Sequence, residues 1–265
     1  MAGISHIAGH VGFSPDLRLV VFRLNGQTYV SEQVADSRAV LTNELNQVQQ
    51  EVAAALGDLR APFSQLVQSQ LRGGSPLLCA AFVLTAGLGP VETPRLAQQR
   101  IDLGAALEVL RLALAVHTQL LTAPDGQGQI DRSLLGSTIL AGDFCFSRAA
   151  ALAARTGSPV VVDIFAQALQ RVSEGTLRGI FDADRNGTGS SDVERELCLS
   201  GVAAANELAS LDAPACQADQ ETAALLLDAR RTNTLSSLQL PPALVERHPP
   251  AHVERWQTLL EWLRS

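Results

Sequence analysis

Apolar residues recur at three- and four-residue intervals along most of the chain. From Ser37 to Leu59 the positions Val40, Leu41, Leu45, Val48, Val52 and Leu56 fall on one face of a helix. Pro62 interrupts that pattern, and a second helix is predicted from Phe63 to Leu71. Gly73-Gly74-Ser75-Pro76 breaks the chain, and the run from Leu77 to Ala86 is then apolar nearly all round. A helix with no polar face belongs in the middle of a protein. Thr93-Pro94 opens a long helix through Leu121, and Pro124 to Gly128 forms a turn. Asp131 to Arg155 is a further long helix. Ser158 and Pro159 supply the cap and first helical position for Val160 to Phe181. The polar, glycine-rich stretch Asp182 to Ser191 separates it from Asp192 to Leu211, with Asp192 as the expected cap. Gln217 to Arg231 and Pro242 to Leu263 complete the set, the last broken by Pro249-Pro250.

The first 36 residues follow a different rule. Leu17 to Phe22 and Thr28 to Ser31 are rich in β-formers and flank Asn25-Gly26, the pattern of a hairpin. The expected organisation is an N-terminal extension, residues 1–36, followed by one helical domain, residues 37–265. Long helices with several apolar faces predict an all-α bundle with a buried inner layer.

Composition narrows the chemistry. The net charge is −7 and no basic stripe is present, so nucleic acid is not an expected partner. All 20 basic residues are Arg, which excludes any reaction that needs a Lys amine. Cys79, Cys145, Cys198 and Cys216 are far apart in the chain, a spacing that suggests neither zinc nor a disulfide framework. No run reaches the roughly 18 apolar residues of a membrane span, and the N-terminus lacks a signal-peptide pattern. A soluble cytoplasmic location is the expectation.

Two stretches then narrow the fold. Leu140-Ala141-Gly142-Asp143-Phe144 is followed by Ser147-Arg148-Ala149. About thirty residues on comes Val172-Ser173-Glu174-Gly175-Thr176-Leu177. These resemble the "LAGDxLLxxA" and "xxGExL" helices of the polyprenyl (isoprenyl diphosphate) synthase family. Gly73-Gly74 with Pro76 is similar to that family's "GGKRxRP" loop, and His117 sits where the family has a His before its first aspartate motif. The four matches occur in the family's order and cover roughly Gln47 to Leu211. The resemblance implies an isoprenoid synthase-type helical bundle, with the hairpin as an extension.

The departures from the family pattern all concern diphosphate chemistry. Where the resemblance places DDxxD, whose carboxylates would hold magnesium, this chain has Thr118, Gln119 and Thr122, all neutral. Mg²⁺ is a hard cation that needs anionic oxygens. No Arg-Arg-Gly follows, and the Lys and Arg of the glycine loop are absent, with Arg72 nearby as a solvated surface residue. The region matching the second aspartate motif, Ala223 to Arg230, holds one carboxylate, Asp228. The Lys-Thr of the preceding helix is replaced by Leu199-Ser200. Asp143, Asp228 and Arg72 remain as a residual cleft. Magnesium, expected for the family, therefore lacks its ligands, no other cofactor is implied, and intrinsic prenyltransferase activity is disfavoured.

Other sites are weaker. Asp182 to Gly187 starts like a calcium loop, but the twelfth position is Val193 and Glu194 comes one residue late. His6 and His10 lie in the N-terminal extension. His248 and His252 flank two prolines, and that spacing does not make a metal face on a helix. Trp256 and Trp262 with Leu259 and Leu260 form an apolar edge for core or interface. The expected function is a non-catalytic subunit of a heteromeric isoprenyl diphosphate synthase. Its partner is a second copy or a catalytic paralogue, engaged through Asp131 to Arg155 and Val160 to Phe181. The alternatives are a stand-alone protein that binds an isoprenoid or other lipid, and an active enzyme with rearranged ligands.

Overall fold

A computed structural model of the chain describes residues 20–24, 27–31, 34–61, 63–65, 67–68, 77–121, 132–181 and 190–265. Strands β1 (Val20–Leu24) and β2 (Gln27–Ser31) pair antiparallel, with Phe22 opposite Tyr29. The Asn25-Gly26 turn lies outside the described residues. Nine helices whose bounds are described follow, with one short 3₁₀ turn at Leu235–Ser237. They are α1 (Val34–Leu56), α2 (Leu78–Ala86), α3 (Pro94–Leu121), α4 (Arg132–Arg155), α5 (Pro159–Phe181), α6 (Ser190–Ala209), α7 (Ala213–Arg231), α8 (Pro242–Arg247) and α9 (Pro250–Arg264).

The helix starts follow local chemistry. Ser158 Oγ accepts the amide of Val161 at 3.3 Å, so Ser158 and Pro159 open α5 as expected. Asp212 accepts the amide of Ala215 at 2.9 Å and caps α7, four residues before the expected start. Asp192 does not cap α6, which begins at Ser190 and takes Asp192 into its first turn. Pro249 stops the last helical segment between α8 and α9, because proline removes an amide donor and clashes with the preceding turn. Residues 63–65 and 67–68 are helical, and the rest of that expected helix is outside the described residues.

All nine residues of α2 are buried, and α2 is packed by α1, α3, α6 and α9. That is the central helix implied by its all-round apolar sequence. Its nearest neighbours make room with small residues. A Cβ on Gly201 of α6 would come within 2.6 Å of Leu107 on α3 and 2.9 Å of Val83 on α2. On the far side, Phe82 of α2 meets Trp256 of α9 edge to face, with ring centroids 6.1 Å apart. Trp256, Leu259 and Leu260 are buried there, so the apolar edge of the last helix is core. Helix α3 makes its most extensive contact with α4. No helix among the described residues is long and apolar enough to cross a membrane.

Candidate functional site

His117 lies in the last turns of α3, and Gly142, Asp143 and Phe146 lie on the facing stretch of α4. The imidazole packs edge to face on Phe146, at 5.1 Å between centroids. Its Nε2 is 3.6 Å from Asp143 Oδ1, too long for a hydrogen bond, and is sealed from solvent without a partner. The ring lies directly over Gly142, where a Cβ would come within 1.8 Å of it. Glycine in the Ala-Gly-Asp sequence is thus explained by His117. Asp143 is 61% exposed.

The aspartate positions are poorly suited to magnesium. Thr118 donates its hydroxyl to Leu114 O at 2.8 Å. The Gln119 side chain, Thr122, Arg72, the glycine loop at 73–76, the Pro124–Gly128 turn, the calcium-like loop at 182–189, His6 and His10 lie outside the described residues. Across the bundle, Asp228 is half exposed and faces Arg195 Nε and Arg231 Nη2, both at 3.4 Å. Arg230 pairs with Glu194 at 2.7 Å. An aspartate held between two guanidiniums is already charge-balanced and offers little to a cation. Thr118 and Asp228 by themselves do not make a magnesium site, and no catalytic step is assigned through that ion.

Several charged groups here have no sequence signal. Glu108, in the middle of α3, is buried and accepts the Ala80 amide at 3.2 Å. It caps α2 from outside, where Leu77 supplies no side-chain cap. Burial pushes the Glu108 carboxyl above its usual range, partly offset by Arg111, whose Nε donates to it at 3.0 Å. Arg100 and Arg255, both buried, converge on Glu44 of α1, and they also donate to the carbonyls of Gly87 and Leu84 at the end of α2. Cys79 and Cys198, far apart in sequence, place their sulfurs 3.3 Å apart in the core as free thiols. The hydrogen bond with Cys198 and burial both raise the Cys79 thiol above its usual range.

The largest departure from the sequence reading concerns His248 and His252. Sequence spacing alone sets them aside, yet the fold directs both rings at one buried carboxylate. Asp219, on α7, is fully buried. Its Oδ1 is 3.1 Å from His248 Nε2, 3.0 Å from His252 Nε2 and 2.9 Å from Trp256 Nε1. Asn206 of α6, oriented so that Nδ2 is the donor, binds Asp219 Oδ2 at 3.0 Å and Ala86 O at 3.2 Å. The double proline turns the chain between α8 and α9 so that the two rings stack, 3.8 Å apart and 4° from parallel. Burial alone would raise the Asp219 carboxyl, but the two histidines outweigh it and hold the group below the usual carboxylate range. The only hint in sequence was the pair itself; its partner is 29 residues upstream of His248.

A groove of about 510 Å³ opens between α5, α6 and α7. Ile164, Leu199 and Ala203 give it an apolar wall, and Gln167, Arg171, Glu196, Gln217 and Gln220 make the rest polar.

No protein-family model matches the chain, and no curated protein matches it in sequence. Solved structures do match it. A decaprenyl diphosphate synthase from Rhodobacter capsulatus is 18% identical, covering 86% of this chain and 79% of that one with a TM-score of 0.57. A geranylgeranyl pyrophosphate synthase from Lactobacillus brevis is 15% identical, covering 88% and 86% with a TM-score of 0.59. The geranyl diphosphate synthase small subunit from Antirrhinum majus is 16% identical, covering 86% and 99% with a TM-score of 0.56. Helix order, the buried α2 and these matches agree: the chain has the all-α fold of the polyprenyl diphosphate synthases.

Proposed function

We propose that this protein is a non-catalytic subunit of a heteromeric isoprenyl diphosphate synthase. One observation carries the reading. The fold is that of the polyprenyl diphosphate synthases, yet the positions where the sequence resemblance places the first aspartate motif hold Thr118, Gln119 and Thr122, and Asp228 lies between Arg195 and Arg231. Stabilising a departing pyrophosphate is the dominant electrostatic task in such chemistry. Neutral side chains and a neutralised aspartate leave that task to another chain. The match to a small subunit from Antirrhinum majus, nearly all of whose length this chain spans, gives the reading its structural parallel.

The partner is a catalytic paralogue that carries its own acidic pairs. Ile139 and Leu140 on α4, and Val160 and Val162 on α5, are large apolar residues left exposed on the two long helices expected to pair.

The test is co-expression with an aspartate-rich prenyl synthase from the same source. The two chains are expected to co-purify, the mixture to release pyrophosphate with magnesium, and this chain alone to release none. Magnesium-dependent turnover by the isolated chain would overturn the reading.

A further inference from the structure

We propose that Asp219, His248 and His252 form a binding site for one divalent transition ion of the zinc class. This stands apart from the diphosphate chemistry of the fold.

The donor set is right for such an ion. Imidazole nitrogen and carboxylate oxygen are zinc ligands, with bonds of about 2.0–2.2 Å, which places ligand atoms of a tetrahedral site about 3.3 Å apart. Here the two His Nε2 atoms lie 3.1 and 3.0 Å from Asp219 Oδ1, and all three ligand atoms lie within 4.8 Å of one another. The carbonyl oxygen of Ala215, 3.3 Å from His248 Nε2, or a water supplies the fourth position.

Without an ion the cluster is crowded. Three nitrogens crowd one oxygen that has two in-plane lone pairs. Trp256 Nε1 is also 3.1 Å from His252 Nε2. If His252 Nε2 carries the proton, two N–H groups sit side by side; if it is bare, it accepts the Trp256 N–H but its lone pair also faces the carboxylate. A cation between the rings and the oxygen removes both conflicts, with each histidine neutral and protonated on Nδ1. The rings are stacked nearly parallel, so the ion seats by turning them about their Cβ–Cγ bonds until both lone pairs converge.

The surroundings supply what a metal site needs beyond ligands. Asn206 holds Asp219 Oδ2 and Trp256 donates to Oδ1, which fixes the carboxylate, as outer partners do in metal sites. The groove between α5, α6 and α7 is lined by Cys216 and by Asn206, the residue that holds Asp219 Oδ2. Cys216 itself is kept a thiol, chiefly by burial and then by the charge of Asp219, and is not counted as a ligand.

The experiment uses the full chain, freed of metal by chelator dialysis and titrated with Zn²⁺ by calorimetry and with Co²⁺ by visible absorption. One ion per chain is expected, with the d–d bands of a tetrahedral Co²⁺ lacking thiolate charge transfer, and a rise in Tm with Zn²⁺. Asp219→Asn keeps the shape of the side chain and is expected to weaken Zn²⁺ binding by about 10- to 100-fold or more, the range found on losing even an outer partner. Should that variant fail to fold, the wild-type stoichiometry and cobalt spectrum decide alone. No uptake by the wild type, a thiolate-type spectrum, or undiminished affinity in a folded Asp219→Asn variant would each overturn the site, leaving Asp219 as a hydrogen-bonding hub.

Discussion

At the scale of single residues, Gly142 and His117 illustrate how a motif is explained by packing. The ring of His117 occupies the space where any side chain at 142 would begin, with its Cδ2 and Nε2 1.8 Å from an ideal Cβ. Gly142→Ala must push the ring away from Phe146 or separate α3 from α4. Overpacking of this kind typically costs about 1–3 kcal/mol. Urea denaturation is expected to show that loss, and combining it with His117→Ala should recover most of it, because the two changes share one contact. An unchanged midpoint in Gly142→Ala would remove the packing account. The Gly142 position was legible in the sequence because it sits in a recognisable run with regular spacing. Asp219 was not: a buried Asp in a helix reads like any other polar position, and its histidines follow in a proline-broken segment. The Cys79–Cys198 contact was hidden for the same reason, since it depends on how α2 and α6 cross.

Among elements, what periodicity encodes survived and what crossing geometry encodes did not. The starts of α3 and α5 and the break at Pro249 follow from local chemistry, as do the caps at Ser158 and Asp212. The capping of α2 by Glu108 and the convergence of two arginines on Glu44 depend on neighbouring helices that no local pattern names. Glycines show the contrast most sharply, because the same residue in two helices has opposite roles. At Gly201 an added methyl meets Leu107 and Val83 at under 3 Å, whereas at Gly136 of α4 it meets nothing within 4 Å. Gly136→Ala is expected to stabilise the protein by about 0.5–1 kcal/mol, the ordinary helix preference for alanine. Gly201→Ala gains the same preference and loses more, a net cost of about 1 kcal/mol or above from overpacking the α2–α3–α6 contact. Thermal unfolding of the two variants side by side should give shifts of opposite sign. A stabilised Gly201→Ala would mean that α6 can move away from α2 at little cost.

For the whole molecule, the balance of inner and outer surfaces bears on assembly. The core is filled chiefly by alanine, leucine and valine, and the large apolar residues left outside include Ile139 and Leu140, adjacent in the N-terminal half of α4, and Val160 and Val162 at the start of α5. Leu140 is 61% exposed, so the isolated chain gains little from its partial burial. Single exposed apolar residues are ordinary on any protein. An adjacent pair on a long helix of a fold proposed to work as a subunit gives a partner a place to begin. The two long helices carry the test. Ile139→Glu with Leu140→Glu leaves the fold intact, because neither side chain belongs to the core, but places two carboxylates where a partner would seat. Losing an anchor of this kind costs about 2 kcal/mol or more, which weakens association about 30-fold. Pull-down with the catalytic paralogue is expected to show that loss, with unchanged far-UV circular dichroism. If the variant assembles as tightly as the original, the partner docks elsewhere, and the exposed face of α4 is ordinary surface.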